Sequence, residues 1–78
     1  MDEPRIKQIM GDILRIHPEQ IDGRTSMKRL DSWDSLSHIE LIGALEQEFE
    51  ITLDVDDIER MVSFVEIQNV LQLKGSSP

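Results

Sequence analysis

Cysteine and tyrosine are absent from this chain, tryptophan occurs once and phenylalanine twice. Without cysteine, neither a disulfide framework nor a thiolate metal site can hold 78 residues together. Burial of aliphatic side chains must do so, and any thiol chemistry has to come from outside the sequence. Long apolar runs are missing as well. Nothing approaches the roughly 20 residues of a membrane-spanning helix, and the opening MDEPRIKQ lacks the basic-then-apolar order of a signal peptide. The expected compartment is the cytoplasm. Basic residues are scarce in one place: residues 1–30 hold six basic and five acidic side chains, residues 31–60 one basic and ten acidic. The middle segment therefore carries −9, against −8 for the whole chain. Such a field repels nucleic acid and anionic membranes and attracts basic protein surfaces, although a charge run can also be no more than a solvated face.

What is present is ordinary for a folded soluble domain: 38% hydrophobic and 31% charged residues, too apolar for a disordered acidic tail. A chain this short makes one domain and buries only about 60% of the surface its unfolded form exposes. That leaves no room for an enclosed active site. The expected domain covers residues 1–74, with 75–78 as a frayed tail.

Helical periodicity organises most of it. Ile6, Ile9, Met10, Ile13 and Leu14 repeat at i, i+3, i+4, i+7 and i+8, with Pro4 suited to a first turn and His17-Pro18 to a stop, which predicts a helix over about 4–16. From Pro18 to Asp34 the pattern fails, and Ile21, Met27 and Leu30 stand as isolated apolar anchors in a long loop. Loops of that length in compact domains are often functional. A second helix is expected over about 35–50, capped by Asp34 or Ser32, with His38, Leu41, Ile42, Leu45 and Phe49 facing the core. The opposite side sets Leu36, Ile39 and Gly43 among Glu40, Glu46 and Gln47, so two aliphatic side chains are expected in an acidic, solvent-facing surface. DVDDIERM predicts a short helix with acids in its first turn and Val55, Ile58, Met61 and Val62 turned inward. Ser63 with Glu66 forms a capping-box pattern ahead of Phe64, Ile67, Val70 and Leu71, a last helix ending near Lys74-Gly75. No segment alternates as a strand, although EITLDV has some of the look of one. The expected fold is all-α, a small bundle of three main helices and one short one.

Asp34, Ser35 and His38 are the residue types of a hydrolytic triad, but Ser35 and His38 lie three apart on one predicted helix, no nucleophile elbow precedes them, and a core this small offers no oxyanion hole. His38 falls on the core side, where a packed, hydrogen-bonded histidine is expected. Asp54, Asp56, Asp57, Glu59 and Glu66 lack the central glycine and ligand spacing of a calcium loop. No metal site is expected. Ser35 by itself reads as an N-cap. Together with the long loop, the aliphatics on an acidic face and the absence of cysteine, it also reads as a platform that another enzyme modifies and docks against.

The run Asp34-Ser35-Leu36, followed by Ile39-Glu40-Leu41-Ile42, Ala44-Leu45-Glu46 and Glu48-Phe49, resembles the acyl carrier protein family, the phosphopantetheine-dependent carriers also called thiolation domains. The likeness runs along nearly the whole chain in its order of helix, long loop, D-S-L at the mouth of a helix, short helix and last helix. It implies a four-helix bundle of acyl-carrier type and a protein that is a carrier rather than an enzyme. A phosphopantetheinyl transferase would attach 4'-phosphopantetheine from coenzyme A to the Ser35 hydroxyl as a phosphodiester, with magnesium held in the transferase. The arm's thiol would carry acyl groups as thioesters. Asp34 is then the motif acid, Leu36 and Ile39 apolar contacts beside the arm, and Glu40, Glu46, Asp56, Asp57 and Glu59 the charges that steer acyl-loading, acyl-transfer or synthase enzymes with basic docking surfaces. A carrier that visits many partners is expected to be a monomer, with no nucleic-acid or membrane partner.

Three positions depart from the fatty-acid pattern, one of them Gln47, which stands where an acidic residue is often found and narrows the expected set of partners. Trp33 precedes the D-S-L where many such carriers have a small residue, and the W-D-S-L form is similar to carriers of specialised polyketide, lipid or related pathways. Gly43 stands where methionine is usual, a place for close approach by an arm or partner. For Trp33 two roles are open, packing over loop and core apolars or lying near the arm. The alternatives are an aminoacyl or peptidyl carrier of nonribosomal synthesis and, in a different class, an unmodified acidic helical adaptor.

Overall fold

The computed structural model describes residues 3–75, in which four α-helices follow one another: α1 (Glu3–Leu14), α2 (Ser35–Phe49), α3 (Val55–Arg60) and α4 (Phe64–Gly75). Among the described residues there is no strand, only an isolated bridge between Ser26 and Ser63. Of the residues expected as a frayed tail, 75–78, Gly75 is the last residue of α4, and 76–78 lie outside the described ones.

The periodic face of α1 is the one that packs: Ile6, Met10 and Leu14 are fully buried, and Ile9 and Ile13 flank them. The helix stops at Leu14, two residues short of the expected end. Arg15 turns into the left-handed region (φ 63°), and the Ile16 N–H reaches back to the Gly11 carbonyl at 3.1 Å, the bond pattern of a Schellman closure. Gly11 is buried where the departing chain crosses the helix, and a Cβ there would sit 2.7 Å from the Ile16 carbonyl oxygen.

The following loop is irregular but tied down. It contains a 3-10 turn at Pro18–Gln20, buries Ile21 and leaves Met27 and Leu30 half-buried against the core. Thr25 adds an anchor that its polarity concealed. Its hydroxyl accepts the Asp22 N–H at 2.9 Å, and its carbonyl accepts the Phe64 N–H at 2.9 Å. With the Met27 N–H on the Val62 carbonyl at 2.8 Å, these bonds strap the loop to the junction of α3 and α4.

From α2 the core takes Leu41, Ile42 and Leu45 with His38, and from α4 it takes Phe64, Ile67, Val70 and Leu71. Phe49 is only half-buried. Val55 and Val62 correct the expectation that they turn inward: they are 68% and 39% exposed. Val55 is the first residue of α3, and a side chain there covers the turn before the helix, where nothing packs. Val62 follows a tight turn at Met61, in which the Val62 N–H reaches back to the Arg60 carbonyl at 2.8 Å, and Met61 is buried while Val62 stands outside. The Ser63 cap forms in part: the Glu66 N–H donates to Ser63 Oγ at 3.1 Å, whereas the Glu66 carboxylate accepts from Asn69 Nδ2 at 3.3 Å.

Helices α1 and α2 run antiparallel. Arg5 pairs with Glu48 at one end, and at the other Ile13 and Arg15 share a cleft with Leu36 and Glu40. The start of α2 is thereby held beside the end of α1. On its other flank α1 meets α4, with Lys7 Nζ 5.5 Å from the Phe64 ring centre and Gln68 Nε2 donating to Glu3 at 3.1 Å.

Candidate functional site

Capping at the mouth of α2 belongs to Asp34. Its backbone is extended and its carboxylate accepts the Ser37 N–H at 2.9 Å. That bond, followed by one from the Ser37 hydroxyl, holds the Asp34 carboxyl below the usual carboxylate range. Neither Ser32 nor Ser35 is needed as the cap. Ser35 is instead the first helical residue, exposed, and among the described residues its hydroxyl has no hydrogen-bond partner. An exposed hydroxyl thus stands at a capped helix end, clear of the core.

Behind it runs a buried polar relay. Trp33 Nε1–H donates to His38 Nδ1 at 3.1 Å, and His38 Nε2 lies 2.8 Å from the Ile58 carbonyl oxygen. An indole N–H only donates and a carbonyl only accepts, so the imidazole is neutral with its proton on Nε2. Both ring nitrogens are occupied, and neither is offered to Ser35. Trp33 is 2% exposed, its ring tilted 39° to that of His38 with centroids 6.0 Å apart. Of the two roles weighed for it, the fold gives Trp33 the packing one. The relay also ties the segment before Ser35 to α3.

Around the serine the surface is apolar and acidic at once. Leu36 and Ile39 are 68% and 67% exposed, Glu40 and Gly43 are exposed, and a Cβ on Gly43 would meet nothing within 4 Å. A cleft of about 210 Å³ is lined by Ile13 and Arg15 at the end of α1 and by Ser32, Asp34, Leu36, Ser37 and Glu40, so the residues on either side of Ser35 in the chain border it. The acids expected to act together divide into two kinds. Glu40, Asp56 and Glu59 are exposed. Glu46 accepts the Leu53 N–H at 2.9 Å, closing the turn after α2. Asp57 forms a reciprocal cap with Asp54 and pairs with Lys74 Nζ at 2.9 Å. The Lys74 hydrogen bond holds the Asp57 carboxyl below its usual range, and Asp57 in turn raises Lys74. The D-x-x-D spacing of Asp54 and Asp57 was a legible sign of that cap. Nothing in the sequence marked Arg15 as sharing a cleft with Asp34 and Leu36, because that placement depends on how α1 and α2 pack. Among the described residues no three His, Asp or Glu side chains converge to hold a metal, and no helix is long and apolar enough to cross a membrane.

Residues 4–73 match the family model described as a phosphopantetheine attachment site. Among curated relatives, an acyl carrier protein of Bdellovibrio bacteriovorus is 27% identical over 74 residues, 95% of each chain. One from Buchnera aphidicola is 41% identical over 59 residues, covering 76% of this chain and 75% of that one. The polyketide-8 synthase acyl carrier protein 1 of Streptomyces avermitilis is 36% identical over 58 residues, covering 74% of this chain and 69% of the other.

Proposed function

We propose, from the premise that this chain belongs to the acyl carrier protein family, that Ser35 is where its phosphopantetheine arm is attached. The observation that carries this is the division of labour at the helix mouth: Asp34 does the capping, and the exposed Ser35 hydroxyl is left without a partner among the described residues. The surroundings fit the group, because Ser35 is exposed, its chain neighbours Asp34 and Leu36 line an open cleft, and modification of an exposed residue displaces no core side chain.

The family works as carriers rather than enzymes, so the chemistry of loading belongs to a phosphopantetheinyl transferase. Ser35 Oγ forms a bond to the pantetheine-side phosphorus of coenzyme A, the pyrophosphate P–O bond breaks, and 3',5'-bisphosphoadenosine leaves. The hydroxyl proton goes to a base of the transferase, since the one nearby imidazole, His38, is committed to Trp33 and Ile58. Once attached, the arm supplies a thiol that carries acyl groups as thioesters. The chain's own contribution is to hold Ser35 on a capped helix end and to present Leu36, Ile39, Glu40 and Gly43 beside it, with Asp56 and Glu59 on α3, to acyl-handling enzymes whose docking surfaces are basic. Glu46 and Asp57 serve the fold first and add to the acidic field at longer range. Trp33 lies within two residues of the arm's root, supporting the site through packing.

A specialised pathway is the finer reading. Its support is the similarity to a relative named for a polyketide synthase, together with Trp33 and Gly43, two of the departing positions. A monomer in the cytoplasm suits a carrier that must release each partner.

Intact mass before and after incubation with coenzyme A, magnesium and a broad-specificity phosphopantetheinyl transferase tests the attachment. The parent gains one phosphopantetheinyl group and Ser35→Ala gains none while keeping its helical circular dichroism. A gain in both would move the arm to another residue.

A further inference from the structure

We infer that Arg15 is a positioning residue for the arm, its guanidinium facing the phosphodiester formed on Ser35; the inference rests on the Ser35 reading. Antiparallel packing of α1 on α2 brings Arg15 into the wall of the cleft that Asp34 and Leu36, the two neighbours of Ser35, also line. Arg15 is the one basic residue in that wall, opposite Asp34 and Glu40. Its side chain is exposed, and among the described residues it has no ion-pair or hydrogen-bond partner.

The charge balance at the cleft gives the guanidinium its role. Asp34 already lends its carboxylate to the Ser37 N–H, and Glu40 stands a turn further along α2. A phosphodiester on Ser35 adds a third negative charge to this corner, in a segment whose only base is Arg60 at the far end of α3. Like charges so placed would push the root of the arm away from the protein. A guanidinium in the same cleft offsets one of them, and its planar fork suits two phosphate oxygens at once. Arg15 also occupies a backbone conformation, φ 63°, that glycine fills at less cost at the end of a helix. Glycine here would close α1 as well and leave the cleft without its cation.

That last point makes a clean test. Arg15→Gly removes the guanidinium while easing the backbone, so misfolding cannot imitate the loss of a contact, and Arg15→Lys keeps the charge without the fork. Parent and variants are melted in apo and holo form, with loading verified by intact mass. Arg15 Nε–H and the phosphodiester are followed by 15N and 31P NMR. Expected is a change in melting temperature on loading that is a few degrees more favourable in the parent than in Arg15→Gly, with Arg15→Lys between them. The difference should shrink at high salt, and the Arg15 Nε–H resonance should move on loading. Equal changes in parent and Arg15→Gly, with that resonance unmoved, overturn the role of Arg15 while leaving attachment at Ser35 intact. Absence of any mass gain in the parent removes the attachment reading, and this role with it.

Discussion

Two glycines inside helices show how little a residue's type says until its neighbours are known. Gly43 lies mid-helix on the exposed side of α2 with open space around its missing Cβ, whereas Gly11 lies buried under the chain reversal that ends α1. Helix propensity alone would make alanine better by about 1 kcal/mol at both. At Gly43 nothing opposes that gain, so Gly43→Ala should stabilise the apo protein by about 1 kcal/mol. At Gly11 the new methyl would meet a backbone carbonyl, which has little freedom to move, and Gly11→Ala should instead cost about 1–3 kcal/mol. Urea unfolding followed by circular dichroism decides both signs. The suspicion raised by the sequence fell on Gly43 and missed Gly11, since the close approach at Gly11 comes from Ile16 and Pro18 after the helix has ended.

Among the elements, α3 is the least self-sufficient: six residues with no fully buried side chain of their own. It is held from outside, by Ile58 on the Trp33–His38 relay and by Asp57 on Lys74 of α4. Lys74→Met should therefore raise hydrogen exchange at α3 amides well before those of α1 and α2 are affected. The same pair sets a pH window. Asp57 and Asp34 have folded pKa values below their unfolded ones, so their stabilisation is complete above about pH 4 and is lost as pH falls through the folded values. Lys74 is shifted upward, so its share is complete below about pH 10.4 and is lost as pH rises through the folded value. Melting temperature against pH should fall at both ends. Lys74→Met should flatten the alkaline limb, and Asp57→Asn should remove part of the acid one.

For the whole molecule, the relevant quantity is the surface left over once the core is filled. Leu36, Ile39 and Val55 remain more than half exposed, on elements that also show Glu40, Asp56 and Glu59. A carrier must bind each partner and release it, which favours a small apolar contact with long-range steering. Replacing Leu36 and Ile39 together by alanine should change stability by no more than about 0.5 kcal/mol per site and slow acyl transfer to partner enzymes. Raising salt in the parent should lower association rates, because the steering is screened. Stopped-flow association and thermal melts, run on the same samples, separate the two effects.

Which segments are helices, most of the core and the candidate serine were legible along the chain, because each rests on short-range information: a 3.6-residue period, a capping residue, a D-S-L ahead of an amphipathic run. Leu36 and Ile39 on the outer face of α2 were legible from the same wheel. Not legible there were which residue caps α2, how Trp33 and His38 share their polar atoms, and that Val55 and Val62 face solvent. Folding also bound Glu46 and Asp57 into the structure and set Arg15 in one cleft with Asp34 and Leu36. The bonds of Asp34, Trp33 and Glu46 join residues three to seven apart and turn on a local backbone geometry that residue type leaves open, whereas His38 on Ile58, Asp57 on Lys74 and the place of Arg15 depend on where a chain reversal sets one element against another.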